Sequence, residues 1–257
     1  MSIYQHFRPE EHDFIDQVIE WKEAVSHQYA PKLTDFLDPR EQDIIKSIIG
    51  HDDDVKLDFS GGALDAECKR AFLYPEYYIP SLEDFQLKGY QLSYPEKFVQ
   101  IEHRQVLGSL LGLGLKRNKF GDIYFHEKEV QLALSAEVSA FVELQFQAVG
   151  KVKVSLQEIP LSDLIAPKTQ WDEVSTTASS LRLDVLVAAI YNISRQKAQL
   201  FIGAKKVKVN WKTVESTSFE CAKGDILSLR GFGRSKIVTI DGKTKKDKWR
   251  IIAGKQK

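Results

Sequence analysis

Apolar residues in the first part of the chain recur first at helical spacing and then at alternate positions. They predict an amphipathic helix over residues 10–26. Asp38 followed by Pro39 is typical of a helix start, because the carboxylate accepts from free backbone N–H groups and proline suits the first turn. This second helix is expected to end near Ile49, before Gly50. Two strands are then expected at residues 55–59 and 66–74.

The middle of the chain shows a regular alternation of strand and helix periods. The expected elements are a strand at 85–92, a helix at 102–111, strands at 122–126 and 130–134, a helix at 135–147 and a strand at 152–158. This β-α-β-β-α-β order is that of the ferredoxin-like fold, which RNA-recognition domains share. Their sheet carries base-stacking aromatics in a Lys/Arg-Gly-Phe-x-Phe motif. Tyr124 and Phe125 lack that motif, so we expect them to pack within the protein.

The last part of the chain predicts two short helices followed by strands. Apolar residues from Leu183 to Ile190 are spaced as one buried helical face. Ser194 is a suitable N-cap for a second helix, which Gly203 ends. Strands are expected at 206–210, 226–230, 236–240 and 249–252, with a type I′ hairpin turn at Asp241-Gly242.

These patterns indicate a multi-domain α+β protein. The expected parts are an N-terminal α+β domain at 1–80, a ferredoxin-like (RRM-like) domain at 81–166, a polar linker at 167–180 with one short strand at 174–177, and a C-terminal module at 181–257.

Charge is divided unevenly between these parts, although the whole chain has a formal net charge of zero. Residues 181–257 contain 18 Lys and Arg against 6 Asp and Glu, whereas residues 1–180 contain 18 against 30. A module with this excess of positive charge is suited to bind a polyanion.

Several functional classes find no support in the sequence. The longest apolar run, Val185 to Tyr191, is far shorter than the roughly 20 residues of a membrane-spanning helix, and the N-terminus lacks the pattern of a signal peptide. Cys68 and Cys221 lack metal-ligand spacing and are expected to be buried thiols in a reducing cytosol. We therefore expect a cytoplasmic protein that does not bind membranes.

No catalytic or metal-binding set can be named from the sequence. Asp52-Asp53-Asp54 lacks the alternating spacing of a calcium loop, and the histidines show no ligand pairing. Gly108, Gly112 and Gly114 do not follow a strand in the order of a nucleotide-binding loop. No nucleophile with a base and an orienting group is recognisable. We expect a non-enzymatic protein with no metal and no cofactor.

The ordered motifs of the C-terminal module resemble an S4 RNA-binding domain, a small module with helices before strands (αL-type). These motifs are Arg182-Leu183-Asp184, Ser194-Arg195 with Ala198, Val207 to Asn210, and Lys223-Gly224-Asp225 followed by Arg230-Gly231. The whole chain also resembles the YlmH family of bacterial S4-domain proteins. That resemblance is carried by the stretch from Leu107 to Arg117 and by Gly121-Asp122-Ile123.

The resemblance implies a protein that docks on structured ribosomal RNA or tRNA, and we expect it to be a monomer. It implies action on the large ribosomal subunit, in handling stalled subunits that hold peptidyl-tRNA, and a link of the family to cell division. Phosphates are contacted by Arg and Lys and by helix N-termini, which supports RNA as the ligand on physical grounds. The predicted RNA-binding residues are Arg182, Ser194, Arg195, Lys197, Gln199, Lys205, Lys206, Lys208, Asn210, Arg230, Arg234 and Lys236. A second RNA contact is predicted at Lys116, Arg117 and Lys119.

Two other interpretations remain open at this stage. Pseudouridine synthases use an Arg-Leu-Asp motif with a nucleophilic aspartate, so the chain could be an RNA-modifying enzyme with its site in the middle domain. However, Arg182-Leu183-Asp184 opens the first helix of the S4 pattern, where Asp184 is expected to cap or pair locally. A protein-interaction scaffold is the third interpretation, in which the acidic residues 1–180 bind a basic partner.

Overall fold

The computed structural model describes residues 3–7, 11–50, 54–165 and 171–256. Its contacts divide the chain into two compact units, at 1–167 and 168–257. The mixture of helices and antiparallel sheets confirms the α+β class.

The first part of unit one packs two helices against a three-stranded antiparallel sheet. Its elements are α1 (His12–Gln28), β1 (Lys32–Leu37), α2 (Pro39–Ile49), β2 (Val55–Ser60) and β3 (Lys69–Pro75), and the sheet order is β1-β3-β2. The predicted cap of α2 is confirmed, because the Asp38 carboxylate accepts from Glu41 N at 2.9 Å and the Glu41 carboxylate accepts from Asp38 N. Residues 8–10 and 51–53 lie outside the described part of the chain. Asp52 and Asp53 of the Asp52–Asp54 run are therefore also outside it.

The strand β1 was not predicted from the sequence. Its buried face contains Thr34 beside Phe36, and a β-bulge shifts its register between Leu33 and Phe36. Both features hide the alternation of apolar and polar residues that identifies a strand.

The second part of unit one has the predicted ferredoxin-like topology. Its elements are β4 (Leu87–Ser93), α3 (His103–Leu111), β5 (Phe120–His126), β6 (Glu129–Ser135), α4 (Ala136–Gln145), β7 (Ala148–Val149), β8 (Val152–Lys153) and β9 (Ser155–Ile159). The four long strands pair in the antiparallel order β5-β6-β4-β9. The strand expected at 152–158 is divided, because β8 forms a small hairpin with β7 before β9 joins the main sheet.

Both faces of this four-stranded sheet are covered. One face packs under α3 and α4, with Leu132 and Leu134 in that core. The other packs against the first part of the unit, where Tyr124 and Ala133 join Phe36 and residues of β3. Tyr124 is 3% exposed, which confirms that it packs within the protein, whereas the same expectation was wrong for Phe125, which is 36% exposed near the end of β5. The sheet face on which RNA-recognition domains stack bases is therefore part of a core here.

Close packing across this core explains Gly121 on β5. A Cβ atom at this position would lie 2.7 Å from Cε1 of Phe36, which is closer than real contacts allow. The adjacent Arg70 is 5% exposed, and its guanidinium donates to the carbonyls of Thr34, Phe85 and Gln86. The parts predicted as 1–80 and 81–166 thus share buried apolar and polar contacts.

Unit two contains two helices and a six-stranded antiparallel sheet. Its elements are β10 (Trp171–Ala178), α5 (Leu183–Tyr191), α6 (Arg195–Gly203), β11 (Val207–Val209), β12 (Lys212–Thr213), β13 (Ile226–Leu229), β14 (Gly233–Lys243) and β15 (Trp249–Gln256). The sheet order is β10-β15-β14-β13-β11-β12. Its core joins the buried faces of α5 and α6, including Leu186 and Ala198, to Val207, Leu227 and Ile251 of the sheet.

One prediction in this unit was correct but too short, and another was wrong. The strand expected at 174–177 is confirmed, but it extends over residues 171–178 as the edge strand β10, paired along its length with β15. Residues 167–170 of the expected linker lie outside the described part. Most side chains of β10 face solvent, so its sequence is polar like that of a linker. The hairpin turn at Asp241-Gly242 is absent, because β14 continues to Lys243 and the chain turns after Thr244.

Candidate nucleic-acid interface

A buried carboxylate lies at the start of α5 and is shared by donors from two helices. Asp184 is 0% exposed. Arg182 donates from Nε to Oδ1 at 3.1 Å and from Nη2 to Oδ2 at 3.4 Å. Arg195 Nε and Gln199 Nε2 each lie 2.9 Å from Oδ2. We call these four residues, Arg182, Asp184, Arg195 and Gln199, the Asp184 clasp.

Local structure places each member of the clasp. Arg182 is the N-cap residue of α5 and pairs with Glu220 in an isolated β-bridge. Arg195 is the first residue of α6 and Gln199 lies one turn later, so both side chains extend from one helical face. Ser194 caps α6 by accepting from Lys197 N at 3.2 Å, as predicted from the sequence. The short connection between the helices therefore brings the two arginines to one carboxylate.

Electrostatics keep this carboxylate ionised. Burial raises the pKa of Asp184, but hydrogen bonds from Arg182, Gln199 and Arg195 outweigh that effect and lower the pKa to about 2. The side chain of Arg182 is 36% exposed and that of Arg195 is 54% exposed. Two cations share one anion, so the clasp has a surplus positive charge at the protein surface.

The remaining predicted cations occupy different environments around this unit. Lys208 is exposed on β11 between buried Val207 and Val209, which confirms the predicted alternation. Lys205 pairs with Glu215 at 3.1 Å. Three further cations are exposed: Lys197 lies on α6, Lys206 just before β11 and Arg230 just after β13. Arg234 and Lys236 lie on β14 and are half-buried.

Asn210 makes structural contacts with the β13 start. Its Nδ2 donates to Asp225 Oδ1 at 2.8 Å, and its Oδ1 accepts from Ile226 N at 2.9 Å. The amide nitrogen and the amide oxygen are thus both hydrogen-bonded within the protein. The role of Asn210 in RNA binding stays a prediction, and these internal hydrogen bonds argue against it.

The second predicted RNA contact is largely engaged within unit one. Lys119 Nζ lies 2.6 Å from both Asp35 Oδ1 and Glu137 Oε1. Arg117 donates to the carbonyls of Phe120 and Gly121. Lys116 is exposed. This basic loop holds β5 against neighbouring elements. Its Lys119 is outnumbered by carboxylates, whereas in the Asp184 clasp two arginines outnumber one carboxylate.

Asp184 lacks the access that a nucleophile requires. Its two oxygens accept from three side chains and its surface is buried. In unit one, Asp122 accepts from the backbone N–H groups of Glu67 and Cys68. Burial raises the pKa of the Cys68 thiol to about 12, so this thiol is protonated at neutral pH. These groups have structural partners rather than catalytic ones.

The described residues contain no cluster of His, Cys, Asp and Glu that could hold a metal ion. Within the same described ranges, no helix is both long and apolar enough to cross a bilayer.

Phe232 is a further candidate site residue and was not among the predicted ones. Phe232 is 44% exposed between two glycines, and Lys197 Nζ lies 5.9 Å from the centre of its ring. The signal in the sequence is an aromatic residue within Arg230-Gly-Phe-Gly-Arg234, of which only the two arginines were predicted to bind RNA.

The chain matches three described families and is similar to characterised proteins. Residues 10–78 match "YlmH, N-terminal", residues 80–163 match "Putative RNA-binding domain in YlmH", and residues 181–227 match "S4 domain". It is 52% identical over 256 residues to "Ribosome-associated protein quality control protein P2" of Bacillus subtilis (strain 168), covering 100% of this chain and 99% of the relative. A solved structure, "Cell division protein ylmH from Streptococcus pneumoniae", is 32% identical with a TM-score of 0.55, covering 64% of this chain and 99% of that one.

Proposed function

Because the chain belongs to the YlmH family and carries an S4 domain, we propose that it is a ribosome-associated protein that binds structured RNA through the Asp184 clasp. The observation that carries this proposal is one buried carboxylate that holds two partly exposed arginines side by side. In this proposal the protein is a cytoplasmic monomer, and its ligand is ribosomal RNA or tRNA.

Phosphates of a folded RNA fit this arrangement. A guanidinium fixed by one carboxylate keeps further N–H groups for phosphate oxygens, and a fixed side chain loses less entropy on binding than a mobile one. The N-terminus of α6 carries the partial positive charge of a helix start beside Arg195. The proposed clasp reads shape and phosphate spacing, because the deep groove of A-form RNA does not admit side chains that read bases.

The names of the relatives agree with a target on the ribosome. The B. subtilis relative is named for ribosome-associated protein quality control. The proposed task of this chain is the one that the family resemblance implies, which is to act on stalled large ribosomal subunits that hold peptidyl-tRNA. The solved structure from S. pneumoniae is named as a cell division protein, so a link to cell division is part of the proposal.

Co-sedimentation with ribosomes tests the proposal. Replacement of Arg182 and Arg195 together by Ala removes two cations, and we expect ribosome binding to be lost. The matched control is Lys245→Ala with Lys246→Ala, which removes the same charge from the exposed β14–β15 turn of the same unit. Unfolding curves for both variants report whether the fold is intact. Equal binding by the two folded double variants would contradict the assignment of the clasp.

The enzymatic alternative has a separate test. Purified protein is incubated with tRNA and with rRNA, and the digested nucleosides are examined by mass spectrometry. Altered nucleosides in the presence of this protein, and not of a buffer control, would overturn the non-enzymatic part of the proposal.

A further inference from the structure

Phe232 is displayed at the end of the hairpin that joins β13 to β14. The loop runs from Arg230 to Phe232 and is closed by the pair Leu229 and Gly233. Gly231 and Gly233 have φ values of 90° and 89°, a region that glycine adopts without strain. This tight loop places an aromatic ring at the surface, and the ring is 44% exposed.

Hydrogen bonds hold the loop in place. Phe232 N donates to Leu229 O at 2.9 Å, and Arg230 N donates to Lys206 O at 3.0 Å. The hydroxyl of buried Tyr191 lies 3.1 Å from Gly233 O, which links the loop to α5. The position of Phe232 is therefore defined by contacts to three neighbouring elements.

The ring has aromatic support and cationic neighbours. Its centre lies 6.1 Å from that of Tyr191 and 5.7 Å from that of Phe201, in edge-to-face arrangements. Lys197 Nζ lies 5.9 Å from the ring centres of both Phe201 and Phe232, and Lys206 Nζ lies 5.7 Å from that of Phe201. A partly exposed aromatic ring is thus fixed in rigid surroundings.

Negative charge is scarce in the segments that form this site. No Asp or Glu occurs between Asn192 and Thr213, or between Ile226 and Ile240. Exposed Lys197 lies 5.9 Å from the ring centre, and exposed Arg230 precedes Phe232 by two residues in the same loop. Arg195 of the Asp184 clasp lies on the same helix as Lys197. An aromatic surface inside a region of positive charge matches a ligand that combines a flat ring with phosphates.

We propose that Phe232 stacks on one unpaired nucleobase of the RNA whose phosphates contact the Asp184 clasp. The inference rests on the proposed RNA-binding function and adds a class of ligand, which is a duplex with a bulged or terminal nucleotide. Bases inside an A-form helix are covered by their neighbours, whereas an unpaired base offers a free face to an aromatic side chain.

The test uses the full-length protein and two RNA hairpins. One hairpin is fully paired, and the other has a single bulged 2-aminopurine at the centre of the same stem. Binding is followed by fluorescence anisotropy, and stacking by quenching of 2-aminopurine. We expect Phe232→Ala to weaken binding of the bulged hairpin about tenfold, since stacking on an aromatic side chain contributes on that order per base. Binding of the paired hairpin should change by less than about twofold.

Conservative variants separate stacking from packing. Phe232→Tyr keeps a ring and should retain both affinity and quenching, whereas Phe232→Leu keeps an apolar side chain and should lose quenching. Leu200→Ala is the matched control, because Leu200 is 74% exposed on α6 and has no ring. The slope of affinity against salt should stay the same in Phe232→Ala, because stacking releases no counterions.

The possible failures are distinguishable. If the wild-type protein shows no salt-sensitive binding to either hairpin or to ribosomes, the proposed function fails. If wild-type binding is salt-sensitive but Phe232→Ala affects both hairpins equally, or neither, the stacking inference is wrong while the proposed function stands.

Discussion

Two basic clusters in this chain look alike in sequence and differ in the folded protein. The cluster around Arg182 and Arg195 shares a single buried carboxylate, and both side chains remain partly exposed. In the loop after α3, Lys119 alone faces two carboxylates, and Arg117 donates to backbone carbonyls. Two arginines therefore share one carboxylate at the first cluster, whereas Lys119 is shared by two carboxylates at the second. The number of carboxylates per cation distinguishes the arginines of the Asp184 clasp from Lys119.

The largest difference between the clusters should be in their salt dependence. Replacing Arg182 and Arg195 by Ala should lower affinity for a structured RNA by roughly ten- to a hundredfold and reduce the slope of log affinity against log salt by about 2. Lys116→Ala with Lys119→Ala removes the same charge and should leave that slope nearly unchanged. Filter binding at several salt concentrations measures both. An equal loss of slope in the two variants would show that the basic loop of unit one also contacts RNA.

Asp184→Asn tests whether the clasp orients its arginines or only neutralises them. The change raises the net charge of the site by one, so a purely electrostatic account predicts tighter RNA binding. We expect weaker binding instead, because the amide keeps only one acceptor oxygen and sets an NH2 donor against the other guanidinium, so the two arginines are no longer held together. Stability should also fall by about 1–3 kcal/mol, since both arginines are partly hydrated and the loss is smaller than for a fully buried pair. Denaturant unfolding and RNA titration of the same sample separate the two effects.

Acid should reveal the contribution of Asp184 to stability. Its pKa is lowered from 3.8 to about 2 in the folded protein, so the unfolded chain takes up protons first as the pH falls. The contribution is present above about pH 4, is on the order of 2 kcal/mol, and is lost as the pH falls towards 2. Thermal unfolding between pH 5 and pH 2 should therefore show a steeper loss in wild type than in Asp184→Asn. Parallel curves for the two proteins would contradict this account of the carboxylate.

The smallest effect is expected at Lys119. Lys119→Met removes the shared partner of Asp35 and Glu137 and should destabilise unit one by about 1 kcal/mol or less, because these groups are partly exposed. RNA affinity should change by less than about twofold. Chemical denaturation and RNA titration check this pair of outcomes. A large loss of RNA binding without a change in stability would reverse the assignment of this residue.

Much of the fold could be predicted because its signals are local. The cap at Asp38, the apolar face from Leu183 to Ile190 and the ferredoxin-like order depend on residues close together in the sequence. The α+β class is confirmed because local periodicity indicated most of the helices and strands. The family is confirmed because ordered motifs in the sequence carry the resemblance. Phe232 was not predicted as a site residue because its ring is held at the surface by contacts with Tyr191 and Phe201, which are distant in the sequence.

Local periodicity and capping were sufficient to predict most helices and strands, ordered sequence motifs indicated the family, and composition located the module with excess positive charge. Long-range packing controlled the rest. The strand expected at 174–177 extended over 171–178 because β15 supplied hydrogen-bond partners along that length, and Lys119 gained a carboxylate partner because folding brought Asp35 to it. Asp184 acquired its role in the same way, when α6 placed Arg195 against it. Burial and pairing are properties of neighbours in space, and a residue's own position in the chain does not encode them.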